Sequence, residues 1–255
     1  MLTVSTATAR VLTKDLGVKA THTAGHSIGE YSSLVLAQVL SFRDAVRAVR
    51  LRGQAMQSAV PLGQGGMTAC LGLSEEQVDF LCKWAVENSG KAPLSPANYN
   101  CDGQIVISGN LQALEWLKVH FKSDVLPGEP RRAKLIPLQV SAPFHCAMMK
   151  PAQDRMQVFF EKIQFSDARI KIIQNVQAQV ETQADQLKKN IIAQVSAPVK
   201  WTQSMQTLKS LGVSTCFEVG HGNILKGLLK KIDADFFKVY STSSLADLKI
   251  IEALS

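Results

Sequence analysis

Residues 25–30 read "GHSIGE" and stand between a short run, "KATHTA", and a stretch of helical composition, "IGEYSSLVLAQVL". No other feature constrains the chain so strongly. A Gly-x-Ser-x-Gly step at a strand-to-helix junction forces a sharp turn, and small flanking residues let the backbone take it. The turn lifts the Ser27 hydroxyl above the edge of a sheet. The following helix points its first N–H groups toward the same place, so the Ile28 amide can donate to a developing oxyanion. The pattern predicts Ser27 as a nucleophile on an α/β scaffold.

The remaining chain reads as alternating elements. "ATARVLTKDLG" (7–17) is expected to be a helix stopped by Gly17, and residues 42–60 a second helix with apolar residues at three- and four-residue spacing. After the loop "PLGQGG" the order changes to β-α-β-β-α-β. Its strands are "MTACLGL", "PLSPANYN", "QIVISG" and "AKLIPLQV", and its helices are "SEEQVDFLCKWAVEN", opened by a serine cap and early acids, and "LQALEWLKVHFKS". Beyond it, helices and strands alternate again through "KIIQNV", "TCFEVG" and "NILKGLLKKI". The expected architecture is α/β. A large, α/β-hydrolase-like subdomain with a mainly parallel sheet comprises residues 1–65 and 136–255. A small ferredoxin-like subdomain, residues 66–135, is inserted into it.

Composition narrows the class. Of the 255 residues 46% are hydrophobic, enough for a buried core, and no apolar run approaches the length of a membrane span. The N-terminus lacks a basic-then-apolar signal layout. The five cysteines form no C-x-x-C pair, which argues against a zinc site or a disulfide framework. We expect no cofactor, no metal, no membrane association and a cytoplasmic setting in which the thiols stay reduced. The net charge of +7 comes without an aromatic-interleaved basic stretch, so a nucleic-acid partner is not indicated. It reads as a solvated basic surface, with an acidic protein or a phosphate-bearing ligand as the other uses of such charge.

A serine nucleophile needs a base. His22 and His26 share its strand and turn and are better placed to orient the loop, while His120 lies in a polar helix. That leaves His145 in "SAPFHCAMMKP" and His221 in "EVGHGN". Each follows a strand, and chemistry alone does not choose. With His221, and Asp167, Asp185 or another acid as third member, the chain order is that of an α/β-hydrolase and the activity that of an esterase. With His145 no aspartate lies in an obvious loop between it and Ser27, and a backbone carbonyl must orient the ring.

Longer stretches decide more than the pentapeptide. "GHSIGEYSSLVLAQVLSFRDAVRAVRLRGQAMQ", "PANYNCDGQIVISG", "LIPLQVSAPFHCAMMKPA", "APVKWTQSM" and "FEVGHGNILKGL" closely resemble, in consistent order, the malonyl-CoA:acyl-carrier-protein transacylases of fatty acid synthesis. The resemblance implies Ser27 as the acylated residue and His145 as general base and acid, oriented by the main-chain carbonyl of Gln194. It implies Arg52 as the partner of the malonyl carboxylate, since a planar guanidinium grips a carboxylate by two parallel hydrogen bonds. His26 matches the family's neighbour of the serine, and Asn98 or Asn100 the lining of its cleft. Ile28 and Phe144 match positions that, in related synthase domains, accompany malonyl rather than methylmalonyl preference. The implied partners are malonyl-CoA and an acidic acyl carrier protein, and the implied chain is a monomer.

Two departures follow from the same comparison. The family begins upstream of this Met1, with a strand and a Gly-Gln-Gly loop whose glutamine amide is a second oxyanion donor. The chain is therefore expected to be a fragment of a longer protein, or else a shortened homologue that has lost catalysis and docks a carrier, or that recruits its missing strand from another chain. Second, His221 stands where the family has a proline in its Gly-Pro-Gly loop.

Overall fold

Leu2, Thr6 and Ala9 are buried, the spacing of one helical face, so the first helix begins at Leu2 rather than at residue 7. It runs over Leu2–Arg10 and widens into a π-type turn, Val11–Asp15, in which Leu16 N–H donates to the Val11 carbonyl at 3.0 Å. Gly17, at φ +67°, ends it. The computed structural model describes residues 1–128 and 132–253. They form two compact units, one of Met1–Val49, Ile163–Asn190 and the chain from Gln203 onward, the other of Arg50–Lys162 and Ile191–Thr202.

The first unit carries the α/β character. Strand His22–Ala24 pairs in parallel with Lys171–Ile173, in the register Ala24 to Ile173. The short strand Val180–Glu181 adds antiparallel to the latter. A separate parallel pair joins Thr215–Glu218 to Lys238–Ser241. The parallel pairing expected of the large subdomain is thus present in two sheets of three and two strands. Ile172 and Ile173 are both fully buried, as in parallel strands covered on each face. Helices Gly29–Leu36, Ile224–Asp233 and Leu245–Glu252 belong to this unit. The two-residue strand and the last strand and helix were not legible in the sequence, the former being too short to show a period.

In the second unit the β-α-β-β-α-β run forms one sheet in the order Lys134–Pro137, Gly65–Leu71, Gln104–Asn110, Leu94–Cys101. These four strands pair antiparallel, which is the ferredoxin-like arrangement. A fifth strand, Val199–Lys200, adds in parallel to Leu94–Cys101. Alternation along the strands sorts their side chains onto two faces. Cys70, Ile105 and Ile107 pack with Val78, Leu81, Leu114 and Leu117 of helices Glu75–Ser89 and Leu111–His120. Met67, Ala97 and Val106 form a second cluster, against which Phe144 packs. The segment that carries His145 therefore meets the sheet on the face opposite these two helices. Among the described residues no helix is long and apolar enough to cross a membrane.

Helix Glu75–Ser89 opens with a capping box: Ser74 Oγ accepts from Gln77 N–H at 3.2 Å, and Gln77 Oε1 accepts from Ser74 N–H at 3.0 Å. Removing one such acceptor costs about 1 kcal/mol. Ser74→Ala is expected to lower the unfolding free energy by about that amount, read from the urea midpoint at unchanged slope, and to leave the Ser27 half of the chain untouched.

Candidate active site

The sequence-predicted residues fall into two groups, each complete within its own unit. Ser27 sits between strand His22–Ala24 and helix Gly29–Leu36 with φ +51°, a left-handed backbone that a non-glycine residue adopts at a cost of about 1–2 kcal/mol. Gly25 makes the turn possible. A Cβ there would lie 2.1 Å from the Gly29 carbonyl carbon and 2.4 Å from the Glu30 nitrogen. The second glycine of the motif is different, because a Cβ on Gly29 meets nothing within 4 Å. His26 and Ile28 are half-buried beside the serine, and Ile28 occupies the N-cap position of the helix.

A polar network, fully buried at its centre, holds this turn. Asn175 follows strand Lys171–Ile173; its Oδ1 accepts from Ser27 N–H at 2.7 Å and its Nδ2 donates to the Gly25 carbonyl at 2.7 Å. Glu30, in the first turn of the helix, accepts from the Asn175 backbone N–H at 2.8 Å and from Gln174 Nε2 at 2.9 Å. Asn190 Nδ2 then donates to Gln174 Oε1 at 2.9 Å. Glu30, Gln174 and Asn175 are each 0% exposed. A carboxylate at a helix N-terminus that accepts several N–H bonds is stabilised in place by both. Sequence reading did not single out Asn175, Glu30, Gln174 or Asn190. The usable signal was a pair of amides, "QN", ending an apolar strand where burial is expected.

The second group is built around His145, also left-handed at φ +60° and 3% exposed. Its Nδ1 lies 2.9 Å from the Gln194 carbonyl and 3.2 Å from that of Ala197. Both neighbours are acceptors, so Nδ1 carries the proton and donates, which leaves Nε2 as the basic nitrogen. Gln194 is fully buried, and its side-chain Oε1 accepts from Arg52 Nη2 at 3.3 Å. One residue therefore touches both the ring and the guanidinium. Arg52 itself is 7% exposed, unlike Arg43 and Arg47 earlier on helix Phe42–Ser58. Asn98 is buried in strand Leu94–Cys101, at a register shift opposite Val106 and Val199, and Asn100 is half-buried two residues on. Burial pushes the Cys146 thiol up, and its Sγ donates to the Pro143 carbonyl at 3.2 Å, so it is no rival nucleophile.

The other histidines have different surroundings. His120 is exposed and stacks on Trp116 at 4.3 Å. His22 Nδ1 lies 3.0 Å from Thr21 Oγ1, and burial, with Lys171 beside it, lowers its pKa. His221 is exposed between Gly220 and Gly222. Asp185 is exposed, and Asp167 is committed to accepting from the Ala184 N–H at 2.8 Å. A hydrolase triad wants a buried, ring-bonded carboxylate, and neither aspartate is one.

Residues 1–235 match the model of the acyl transferase domain. The chain is 42% identical over 228 residues to the malonyl CoA-acyl carrier protein transacylase of Staphylococcus aureus (strain COL), spanning 89% of this chain and 71% of that one. It is 41% identical over 232 residues to the Salmonella typhimurium transacylase of the same name, spanning 91% and 72%. The chain belongs to the malonyl-CoA:acyl-carrier-protein transacylases. Solved structures agree with this transacylase in fold. An acyl carrier protein S-malonyltransferase from Vibrio cholerae superposes with a TM-score of 0.89 at 37% identity, covering 98% of this chain and 78% of that one. A malonyl-transacylase in complex with a type II PKS acyl-carrier protein gives 0.90 at 36% identity, covering 100% and 79%. These likenesses bear out the α/β fold with its ferredoxin-like part.

The glycines of the turn supply a direct test. Gly25→Ala drives a Cβ into backbone and is expected to destabilise the transacylase by about 3 kcal/mol or more. Gly29→Ala places a methyl in open space at a helical position and is expected to stabilise by about 0.5–1 kcal/mol. Chemical denaturation of the two variants side by side checks both signs.

Proposed function

We propose that this transacylase moves a malonyl group from malonyl-CoA to the phosphopantetheine thiol of an acyl carrier protein through an ester on Ser27. The observation that carries the reading is the His145 ring, buried and held at Nδ1 by two main-chain carbonyls. That arrangement supplies a neutral base at Nε2 without a carboxylate.

The steps follow from those groups. Ser27 Oγ attacks the thioester carbonyl carbon while its proton passes to His145 Nε2. The charge developing on the carbonyl oxygen is taken by the Ile28 N–H at the helix start. The C–S bond breaks, and the CoA sulfur leaves with the proton returned by His145. In the second half the carrier's thiol gives its proton to His145 and attacks the malonyl ester. The C–O bond then breaks, and Ser27 recovers the proton. Main-chain orientation of the ring suits a reaction that runs through the same histidine in both directions.

Arg52 supplies selectivity. Its guanidinium binds the free carboxylate of malonyl by paired hydrogen bonds, an interaction that an acetyl group cannot return. Ile28 and Phe144 set the preference against a methyl-branched acyl group, and His26 and Asn98 complete the binding surface. The net charge of +7 favours approach of both the phosphates of CoA and an acidic carrier. The chain acts as a cytoplasmic monomer.

Intact-mass spectrometry after mixing with malonyl-CoA tests this. A malonyl adduct is expected on the starting chain and none on Ser27→Ala. Arg52→Ala is expected to lose at least about tenfold in malonyl loading relative to acetyl loading, the scale of one charge-assisted contact. An adduct that survives Ser27→Ala, or p-nitrophenyl ester turnover outpacing malonyl transfer, would count against the transferase.

A further inference from the structure

The parallel ladder between strands His22–Ala24 and Lys171–Ile173 stops at the rung Ala24–Ile173, because the chain beyond Ala24 leaves the sheet to form the turn. The Asn175 side chain takes over where the ladder ends. Its amide accepts from the N–H of Ser27 and donates to the carbonyl of Gly25, the donor–acceptor pair that a neighbouring strand would offer. Asn175 cannot drift, since Glu30 binds its backbone N–H and Gln174 binds the same carboxylate. We infer that Asn175 is a positioning residue for the nucleophile, imposing the left-handed backbone at Ser27 and thereby the directions of its Oγ and of the Ile28 N–H.

The inference rests on acylation of Ser27, and its chemical consequence is specific. The Ser27 amide is committed to Asn175 Oδ1, so it is withdrawn from the oxyanion and the Ile28 amide is left to serve it. Both the attacking oxygen, on Ser27 Cα, and that donor, one residue on, are carried by the backbone that directly follows the peptide between His26 and Ser27, whose N–H the clamp holds. Releasing the clamp lets this peptide rotate, and a misplacement on the order of 1 Å at a reacting atom costs roughly a hundredfold in rate. Substrate binding draws on other groups, Arg52 above all, so the loss falls on the rate of acylation and not on affinity.

The experiment follows acylation of the full chain by malonyl-CoA, with thermal unfolding of each variant in parallel. Asn175→Ala is expected to lower the maximal acylation rate by about 10- to 100-fold with little change in the half-saturating malonyl-CoA concentration. Asn175→Asp keeps an acceptor for Ser27 N–H but lacks a donor for Gly25, and its carboxylate lies near that of Glu30. Like charge and burial raise the pKa of such a group, and its protonated form restores the donor. Its rate relative to the starting chain should therefore climb as pH falls, a response that a merely structural role would not produce. Folded Asn175→Ala acylating at the original rate, or a flat pH ratio for Asn175→Asp, overturns the inference and leaves acylation of Ser27 standing. Failure of the starting chain to acylate overturns the functional reading instead. Amide hydrogen exchange on the starting chain decides the clamp in that case, and also if neither variant folds. Strong protection at Ser27 supports it, and free exchange there overturns it.

Discussion

A left-handed backbone at Ser27 is the constraint on which the first of the two residue groups in this protein depends. An L-residue does not rest there unaided. The conformation persists because the surroundings over-determine it: a glycine where no side chain fits, a helix that must start at once, and a side-chain amide that takes both polar groups of the turn. The amide is in turn fixed by a buried carboxylate at the N-terminus of the very helix the turn begins. The strand, the turn, the helix and the neighbouring strand are thus locked by one connected set of hydrogen bonds, whose central members Glu30, Gln174 and Asn175 are out of water and whose bonds there are strengthened by that dryness.

The second half repeats the theme with different means. His145 is also left-handed, and its ring is aimed by main-chain carbonyls rather than by an acid. Gln194 joins two tasks that chemistry keeps apart. Its carbonyl sets the tautomer of the His145 ring, and its side chain meets the Arg52 guanidinium. A neutral amide in that place avoids the desolvation cost of a second buried charge beside Arg52. Phe144, packed against Met67, Ala97 and Val106 of the ferredoxin-like sheet, anchors the segment immediately before the ring.

Several parts of this design were legible in the residues. The β-α-β-β-α-β run stood out because its strands alternate and its helices announce their caps, as at Ser74 and Gln77. Resemblance supplied Ser27, His145, Arg52 and Gln194 as candidates, and the structure groups the last three by direct contact. Asn175 and Glu30 stayed invisible. An amide after a strand and a glutamate in a helix are ordinary in sequence. Their meaning arises only when a parallel register sets residues about 150 positions apart beside one another.

The sequence by itself determined the local chemistry: where a strand must turn into a helix, which positions need glycine or a cap, and which family the chain resembles. Those properties depend on neighbours a few residues apart, and short-range sterics and hydrogen bonding write them directly into the order of residues. Tertiary structure alone decided which of the two glycines in the turn is required by space, which amide clamps the serine, and that one glutamine contacts both His145 and Arg52. Each of these depends on distances between segments remote along the chain, and only packing sets such distances.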